Sequence, residues 1–276
     1  MRPALAAFAT MFTPAPLPAH PAIQIEGEAV QGGLVRGRVP AGTTALSLAG
    51  MPVSVAADGR FVLGFDRDHP ADARLAARLA DGSWIERRIA IAPRSWRIER
   101  IDVARRSPGL PDEAYRLRRE AELARIGAAR TSRSAVEGWR QTLLWPAHGR
   151  ISGRFGSQRI YHGVAAAYHS GVDLAAGAGA PVVAPADGIV VLAGPPAFSL
   201  EGNLVIIDHG FGLNSAFLHL ASSRVSVGQA VRRGQLVGTV GATGRATGPH
   251  LHWSLMWNGA RLDPELAAGA AGGAAE

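Results

Sequence analysis

His169-Ser170-Gly171-Val172-Asp173 and the later stretch His250-Leu251-His252 combine three imidazoles and one carboxylate with glycine and apolar neighbours. Such neighbours are typical of strands and extended turns, in which successive side chains point to opposite faces. Residues two or four apart then point to the same side. We therefore expect His169 and Asp173 to share one face, and the two later histidines to share a face with Leu251 directed into the core.

Imidazoles and a carboxylate are ligands of catalytic zinc, which binds three protein groups and keeps a fourth position for water. The sequence has no His-Glu-x-x-His motif, so a helix-borne site with glutamate as the base is absent. His219 is the candidate for a general base, because its neighbours are those of a strand. Alternation predicts that Leu218 and Leu220 face the core, while Phe217 and His219 face an open groove that would hold the site.

The composition indicates a folded chain with a basic surface. The 276 residues are 47% hydrophobic, enough for one large domain or two modest ones. The absence of cysteine excludes disulfides, thiolate zinc sites and cysteine nucleophiles. The net charge is +7, and arginine supplies every Lys-or-Arg position. This charge favours an anionic polymer such as nucleic acid, an acidic membrane surface or a cell-wall polymer, although a GC-rich genome also explains the arginine bias.

Changes in composition predict five segments along the chain. Residues 1–22 have the pattern of a secretory signal peptide, with a disordered tail as the alternative. Residues 23–93 alternate over short runs and predict a small β-sandwich. A basic linker and a mostly solvated helix are expected over residues 94–143. A glycine-rich antiparallel β domain with an open groove is expected over residues 144–266, and a flexible tail over residues 267–276. The fold class is mainly β.

Turn and capping residues predict where individual elements begin. Pro111-Asp112-Glu113 places proline and acidic side chains in the first turn of a helix. Asp58-Gly59 precedes an apolar run and predicts a hairpin, as does the stretch from Ala230 to Gly238. No stretch approaches the roughly 20 apolar residues that a membrane-spanning helix needs.

The stretch from Gly149 to Pro264 resembles the M23 zinc metallopeptidases, the lysostaphin and LytM-like group. The resemblance rests on several motifs in the same order: His-Ser-Gly-Val-Asp (169–173), Pro-Val-Val-Ala-Pro-Ala-Asp-Gly (181–188), Gly-Asn-Leu-Val-Ile-Ile-Asp-His-Gly (202–210), Phe-Leu-His-Leu (217–220) and Gly-Pro-His-Leu-His-Trp (248–253). The preceding β segment is similar to the N-terminal domain of proteobacterial members. The family resemblance implies a LytM-like catalytic domain built from duplicated hairpins.

The resemblance also implies roles for individual residues. It implies that His169, Asp173 and His252 bind one zinc ion, and that His219 and His250 are the catalytic histidines. All five positions are occupied, which separates this chain from degenerate members that only activate other wall hydrolases.

Other positions of the resemblance are less decisive. Asn203 matches a family asparagine that contacts either substrate or its own loop. Phe217 stands where many members have tyrosine, which would alter substrate contact or polarity near His219. Asp208 and His209 are expected to be structural. His148 and His162 are expected at the surface.

By this resemblance the chain is expected to be an exported zinc endopeptidase of the periplasm or cell envelope that cuts peptide bonds in peptidoglycan, at cross-links between stem peptides. The rival function is a non-catalytic wall-binding protein that activates another hydrolase, and the complete five-residue set argues against it. Residues 184–188 and 227–235 also resemble the hairpins of biotinyl and lipoyl carriers, but those need a lysine that the chain lacks. A nucleic-acid partner has only charge in its favour and no motif.

Overall fold

The structure, a computed structural model, describes residues 22–102 and 112–269. Residues 1–21 of the predicted signal peptide and residues 270–276 of the predicted tail lie outside the described residues. Within the described residues, no helix is both long enough and apolar enough to cross a membrane.

The N-terminal part is the small β-sandwich that the alternating sequence predicts. Its strands are β1 (Gln24–Glu26), β2 (Leu34–Arg38), β3 (Thr43–Leu48), β4 (Met51–Val53), β5 (Arg60–Gly64), β6 (Asp72–Leu79) and β7 (Trp84–Ala90). One sheet has the order β1-β2-β5 and the other the order β4-β3-β6-β7. Strand β5 is apolar on both faces because one face packs inside the sandwich and the other against the C-terminal part.

A connector and a larger β domain follow. The connector contains β8 (Ile98–Ile101), α1 (Glu113–Arg130) and a short 3-10 helix (Gly138–Arg140). The rest of the chain contains β9 (Arg150–Gly153), β10 (Gln158–Tyr161), β11 (Val164–Ala165), β12 (Val172–Ala175), β13 (Pro181–Val183), β14 (Gly188–Leu192), β15 (Asn203–Asp208), β16 (Leu213–Ser223), β17 (Ala230–Val231), β18 (Leu236–Val240), β19 (Leu251–Trp257), β20 (Ala260–Leu262) and α2 (Pro264–Ala268).

The large sheet of this domain is antiparallel and runs in the order β17-β14-β15-β16-β19-β12-β9. Strand β18 pairs with both β13 and β16, and β20 extends the sheet beside β19. Odd-numbered residues of β19, such as Leu251 and Trp253, are fully buried in the core, as predicted for Leu251. Helix α1 packs on the face of the sheet that points away from this core, the face to which the even-numbered residues of β19 belong. Arg130 contacts Asn214 and Ser254 there.

Helix α1 begins where the sequence predicts. The side chain of Asp112 caps it by accepting a hydrogen bond from the N–H of Tyr115, and Glu113 lies in its first turn. Most of its residues are exposed, as the charge run predicts.

The connector and the tail differ from the prediction. The predicted linker contains β8, which pairs in parallel with β10 and extends the C-terminal domain by one strand. Residues 267 and 268, which the sequence assigns to the tail, belong to α2, because Asp263 caps this helix and Pro264 starts it.

The two predicted hairpins are wrong in their pairing. A tight turn forms at Asp58-Gly59, where Gly59 has a φ of +80°. However, β4 pairs with β3 and β5 pairs with β2, so the turn carries the chain between the two sheets of the sandwich. Likewise β17 pairs with β14, and β18 pairs with β13 and β16. Turn residues favour a reversal of the chain, but they do not choose the partner strand.

The N-terminal and C-terminal parts share one continuous hydrophobic core. Gly64 of β5 lies so close to Trp257 and Leu262 that a Cβ there would approach both within 2.9 Å. Arg36 donates from Nη2 to the carbonyl oxygens of Trp139 at 3.0 Å and Gln141 at 2.7 Å. The sandwich is therefore built onto the domain that carries the candidate site.

This close approach predicts that Gly64→Val lowers the free energy of unfolding by about 1–3 kcal/mol, the usual cost of overpacking a core. Because the core is shared, both parts should unfold in one transition, which differential scanning calorimetry measures. Gly177→Val is the matched control, since a Cβ at Gly177 meets no atom within 4 Å. Equal melting temperatures for the two variants, or two separate transitions in the unaltered chain, would contradict the shared core.

Candidate functional site

His169, Asp173 and His252 converge on a single point. His169 Nε2 lies 3.0 Å from Asp173 Oδ1 and 3.0 Å from His252 Nδ1, and His252 Nδ1 lies 2.8 Å from the same carboxylate oxygen. Asp173 and His252 are direct partners across β12 and β19, and His169 reaches them from the irregular segment that precedes β12. The spacing of the two sequence stretches thus brings these three side chains together.

Two glycines leave room for this cluster. Gly153 faces Asp173 across β9 and β12, and a Cβ there would collide with the carboxylate. A Cβ on Gly171 would collide with the ring of His252. Any side chain at either position would push Asp173 or His252 away from the shared point.

Backbone carbonyls orient three of the histidine rings. Because a carbonyl oxygen only accepts, each of these rings carries a proton on Nδ1, and its neutral form keeps a lone pair on Nε2. The Nδ1 atoms donate as follows: His169 to Arg154 O at 3.1 Å, His219 to Thr243 O at 2.9 Å and His250 to Gly248 O at 2.8 Å.

The donor set of the cluster fits a divalent cation. A neutral His169 ring that is protonated on Nδ1 turns the lone pair of Nε2 toward a carboxylate oxygen 3.0 Å away, which repels it, so a proton or a metal ion has to lie between the two atoms. Burial opposes the charge of Asp173, but hydrogen bonds from His169 and His252 hold the pKa of that carboxyl well below its usual range. Two imidazoles and one carboxylate within about 3 Å of each other suit tetrahedral zinc, whose bonds are about 2 Å long.

A proton competes with a metal for this place. Burial lowers the pKa of His169, but the hydrogen bond and charge of Asp173 outweigh burial and raise it. Burial lowers the pKa of His252, which favours the neutral ligand form of that ring. A metal ion would replace the proton between His169 Nε2 and Asp173 Oδ1, because metal ligands bind in their deprotonated form.

His219 lies at a β-bulge in β16. The register with β15 shifts by one residue between the pairs Val205–Phe217 and Asn203–Leu220. His219 itself has a φ of +63°, a backbone conformation that residues other than glycine rarely adopt. The bulge interrupts the alternation of the strand, and the ring of His219 lies beside that of His250.

The predicted orientation of Phe217 is wrong for this reason. Phe217 is fully buried in the main core opposite Trp253, and it does not face the groove. Leu218 packs in a second apolar cluster together with Ile126 of α1, and only Leu220 enters the main core as predicted. Phe217 therefore contributes to core packing, and its effect on substrate contact stays a prediction.

His219 and His250 lie next to the cluster without joining its short contacts. Their ring centroids are 4.9 Å apart, and the ring of His219 lies 6.4 Å from that of His252. His250 Nε2 is 4.0 Å from Asp173 Oδ1. Burial lowers the pKa of His219, so its ring is neutral at pH 7 and can accept a proton at Nε2.

Asn203 lies at the same bulge. Its side-chain Nδ2 donates to the carbonyl oxygens of Leu220 at 2.9 Å and Ala221 at 3.3 Å. Its backbone N–H donates to Thr243 Oγ1 at 2.9 Å. These contacts match the expectation of a loop role, and a contact with substrate stays a prediction.

A cleft of about 730 Å3 passes alongside His169 and Asp173. Strand β9 lines one part of it, and β8 and β10 line another. The arginines among its lining residues outnumber the acids: Arg97, Arg154, Arg159 and Arg245 face it with Glu99 and Asp173. Of the described residues of α1, none lines the cleft, so the helix leaves it open.

Sequence reasoning missed two features of this site. One is β8, whose pairing with β10 makes the connector a wall of the cleft. The other is Tyr168, whose hydroxyl donates to Asp66 of the N-terminal sandwich at 3.0 Å and which lines the cleft. Burial and the charge of Asp66 raise the pKa of Tyr168 to about 12. Its place next to His169 in the sequence was the available signal.

Other histidines of the domain are structural or at the surface, as expected. His209 is fully buried, and its two ring nitrogens contact Asp187 O and Ser215 Oγ at 2.9 Å each. The carboxylate of Asp208 accepts hydrogen bonds from the N–H groups of Ser134 and Gly210. His148 and His162 are exposed.

Residues 167–264 match the model of Peptidase family M23. A solved structure of a peptidase M23 from Pseudomonas aeruginosa is 33% identical, with a TM-score of 0.69, and the match covers 88% of this chain and 96% of that one. The chain belongs to peptidase family M23. The family region contains all six residues predicted for metal binding, catalysis or substrate contact: His169, Asp173, Asn203, His219, His250 and His252. The structural likeness extends beyond that region.

Two curated relatives share the peptidase region of this M23 chain. Peptidoglycan DD-endopeptidase ShyA of Vibrio cholerae is 43% identical over 112 residues, which are 40% of this chain and 25% of that protein. DD-carboxypeptidase/endopeptidase Mpg of Neisseria meningitidis is 42% identical over 96 residues, which are 35% of this chain and 22% of that protein. The chain thus spans about a quarter of the length of these relatives.

Replacing Asp173 by asparagine tests the cluster as a metal centre. Asp173→Asn keeps the side-chain shape but removes the only negative charge among the three donors, so the purified protein should retain little zinc after dialysis against a weak chelator. Zinc content by elemental mass spectrometry is the measurement. Asp72→Asn, at the exposed start of β6 in the N-terminal sandwich, is the control and should match the unaltered chain. Full zinc content in Asp173→Asn would rule out this ligand set.

Proposed function

We propose that this M23 protein is a zinc-dependent endopeptidase that hydrolyses peptide bonds in peptidoglycan, at the cross-links between stem peptides. The convergence of His169, Asp173 and His252 beside an open cleft, with two further histidines next to them, carries the proposal. The printed names of the curated relatives support the substrate class. Peptidoglycan as substrate places the protein in the periplasm or cell envelope.

Three residues would hold one zinc ion. His169 would bind through Nε2, Asp173 through Oδ1 and His252 through Nδ1, the atoms that meet at the shared point. Bound there, zinc supplies a Lewis acid for the scissile carbonyl and makes water a better nucleophile at neutral pH. The carbonyl of Arg154 keeps His169 in the tautomer that this role needs.

We assign the role of general base to His219. Its Nδ1–H is engaged by Thr243 O, and burial lowers its pKa, so Nε2 is free to take a proton from water. His250 places its Nε2 4.0 Å from Asp173 Oδ1 and, as the imidazolium, would donate a hydrogen bond to the oxyanion or a proton to the leaving amine. Asn203 would act by holding the bulge that carries His219.

The cleft suits an extended, acidic peptide. It runs past the cluster between strands and has a surplus of arginine over acidic side chains. Stem peptides carry free carboxylates, which arginine binds well. The same charge would keep the protein on an anionic wall polymer.

His219→Ala tests catalysis separately from metal binding. Because His219 lies outside the three-ligand cluster, the variant should keep its zinc while the rate of wall digestion falls by about 100-fold or more, the usual effect of removing a general base. Zymography on purified wall material, with zinc content measured in parallel, gives both values. His162→Ala, an exposed histidine, is the control and should digest like the unaltered chain. Equal clearing by His219→Ala would remove His219 as the base, and no clearing by the unaltered chain would favour the wall-binding, non-catalytic alternative.

The bond that is cut has its own test. Mass spectrometry of muropeptides after digestion should show dimeric cross-linked species converted to monomers, because the proposed substrate is the bridge between stems. Released glycan fragments without loss of cross-links would contradict an endopeptidase.

A further inference from the structure

We infer that helix α1, which lies outside the family-matched region, positions His219 for catalysis. The inference rests on the role of His219 in the proposed function. It names Arg119, Glu122 and Arg125 of α1, called here the α1 clamp, as positioning residues that act through the loop from Phe198 to Gly202.

Each of the three residues of the α1 clamp contacts one residue of this loop. Arg119 donates from both terminal nitrogens to the Glu201 carboxylate, at 2.7 Å each. The Glu122 carboxylate accepts hydrogen bonds from the N–H of Ser199 at 2.8 Å and its hydroxyl at 2.7 Å. The clamp residues are three apart along the chain, so they share one face of the helix.

The third contact and the links inside the clamp reinforce this arrangement. The guanidinium of Arg125 lies 4.6 Å from the ring centroid of Phe198, a cation–π contact. Arg119 also donates to Glu122 at 3.0 Å, which joins the two ion-pairing residues of the helix. The side chains of Arg119 and Glu201 are each only 17% exposed, so water screens their bidentate pair weakly.

The gripped loop is attached directly to the backbone of His219. The N–H of His219 donates to the carbonyl oxygen of Glu201 at 2.8 Å. Thus Glu201 is held by α1 through its side chain and holds His219 through its main chain. One residue connects the helix to the candidate base.

His219 needs such support because its conformation is unfavourable on its own. A φ of +63° at a residue with a side chain costs free energy and persists only where the surroundings enforce it. Thr243 O fixes the ring, and Glu201 O fixes the main chain. If the loop moved, the imidazole would move with it, and displacements of about 1 Å cost large factors in rate.

Kinetics of charge-removing variants test the α1 clamp. In Arg119→Ala and Glu201→Gln we expect kcat to fall about 10- to 100-fold, with KM and zinc content unchanged, because substrate and metal contacts stay in place. Arg119→Lys keeps the charge but loses the two-pronged contact, so its kcat should lie between those of Arg119→Ala and the unaltered chain. Arg116→Ala is the matched control, since Arg116 pairs with Glu113 on the exposed side of the same helix.

Amide hydrogen exchange at His219, followed by NMR, provides a readout that does not need activity. Arg119→Ala and Glu201→Gln should speed exchange of this N–H on the order of tenfold, while Arg116→Ala leaves it unchanged. Circular dichroism confirms that α1 is still folded in each variant.

The outcomes separate the two proposals. An inactive unaltered chain defeats the proposed function, and the exchange rates still decide whether α1 holds His219. Full activity and unchanged exchange in Arg119→Ala and Glu201→Gln overturn the α1 clamp, whereas loss of zinc or an increase in KM alone would show that the helix acts elsewhere.

Discussion

A single carboxylate oxygen, Asp173 Oδ1, lies within 3.0 Å of nitrogen atoms from two imidazole rings, and the site depends on this crowding. Without a positive charge between them, the lone pairs of this oxygen and of unprotonated ring nitrogens repel each other. The fold nevertheless enforces the approach through the register of β12 with β19, the space left by Gly153 and Gly171, and the carbonyl of Arg154 behind His169. A scaffold that holds repelling groups together is what a metal site requires before its ion arrives.

The parts of the chain outside the family-matched region complete this site. The connector supplies β8 as a wall of the cleft, and the N-terminal sandwich reaches Tyr168 through Asp66. Helix α1 lies on the groove face of the sheet but leaves the cleft open, and it holds Glu201, whose carbonyl oxygen accepts a hydrogen bond from the N–H of His219. One hydrophobic core joins described residues of the sandwich and of the peptidase domain, so a change of position in one part can be transmitted to the other.

Local sequence predicts a good part of this architecture and of the convergence at the site. Spacing along two stretches brings His169, Asp173 and His252 together, and the start of α1 follows from its capping residues. The orientation of Phe217 could not be predicted by alternation, because the bulge depends on β15 and on a loop distant in the sequence. The prediction of strand pairing failed for the same reason. Strand β8 pairs with a strand about 60 residues away, and the turn residues Asp58-Gly59 do not determine which strand lies beside β5.

The measurement that tests this account most directly is anomalous X-ray diffraction at the zinc absorption edge, on crystals of the unaltered protein grown without chelator. The account predicts one strong anomalous peak per chain, about 2 Å from His169 Nε2, Asp173 Oδ1 and His252 Nδ1. A well-ordered structure with no peak there, or with its zinc bound by other side chains, would contradict it.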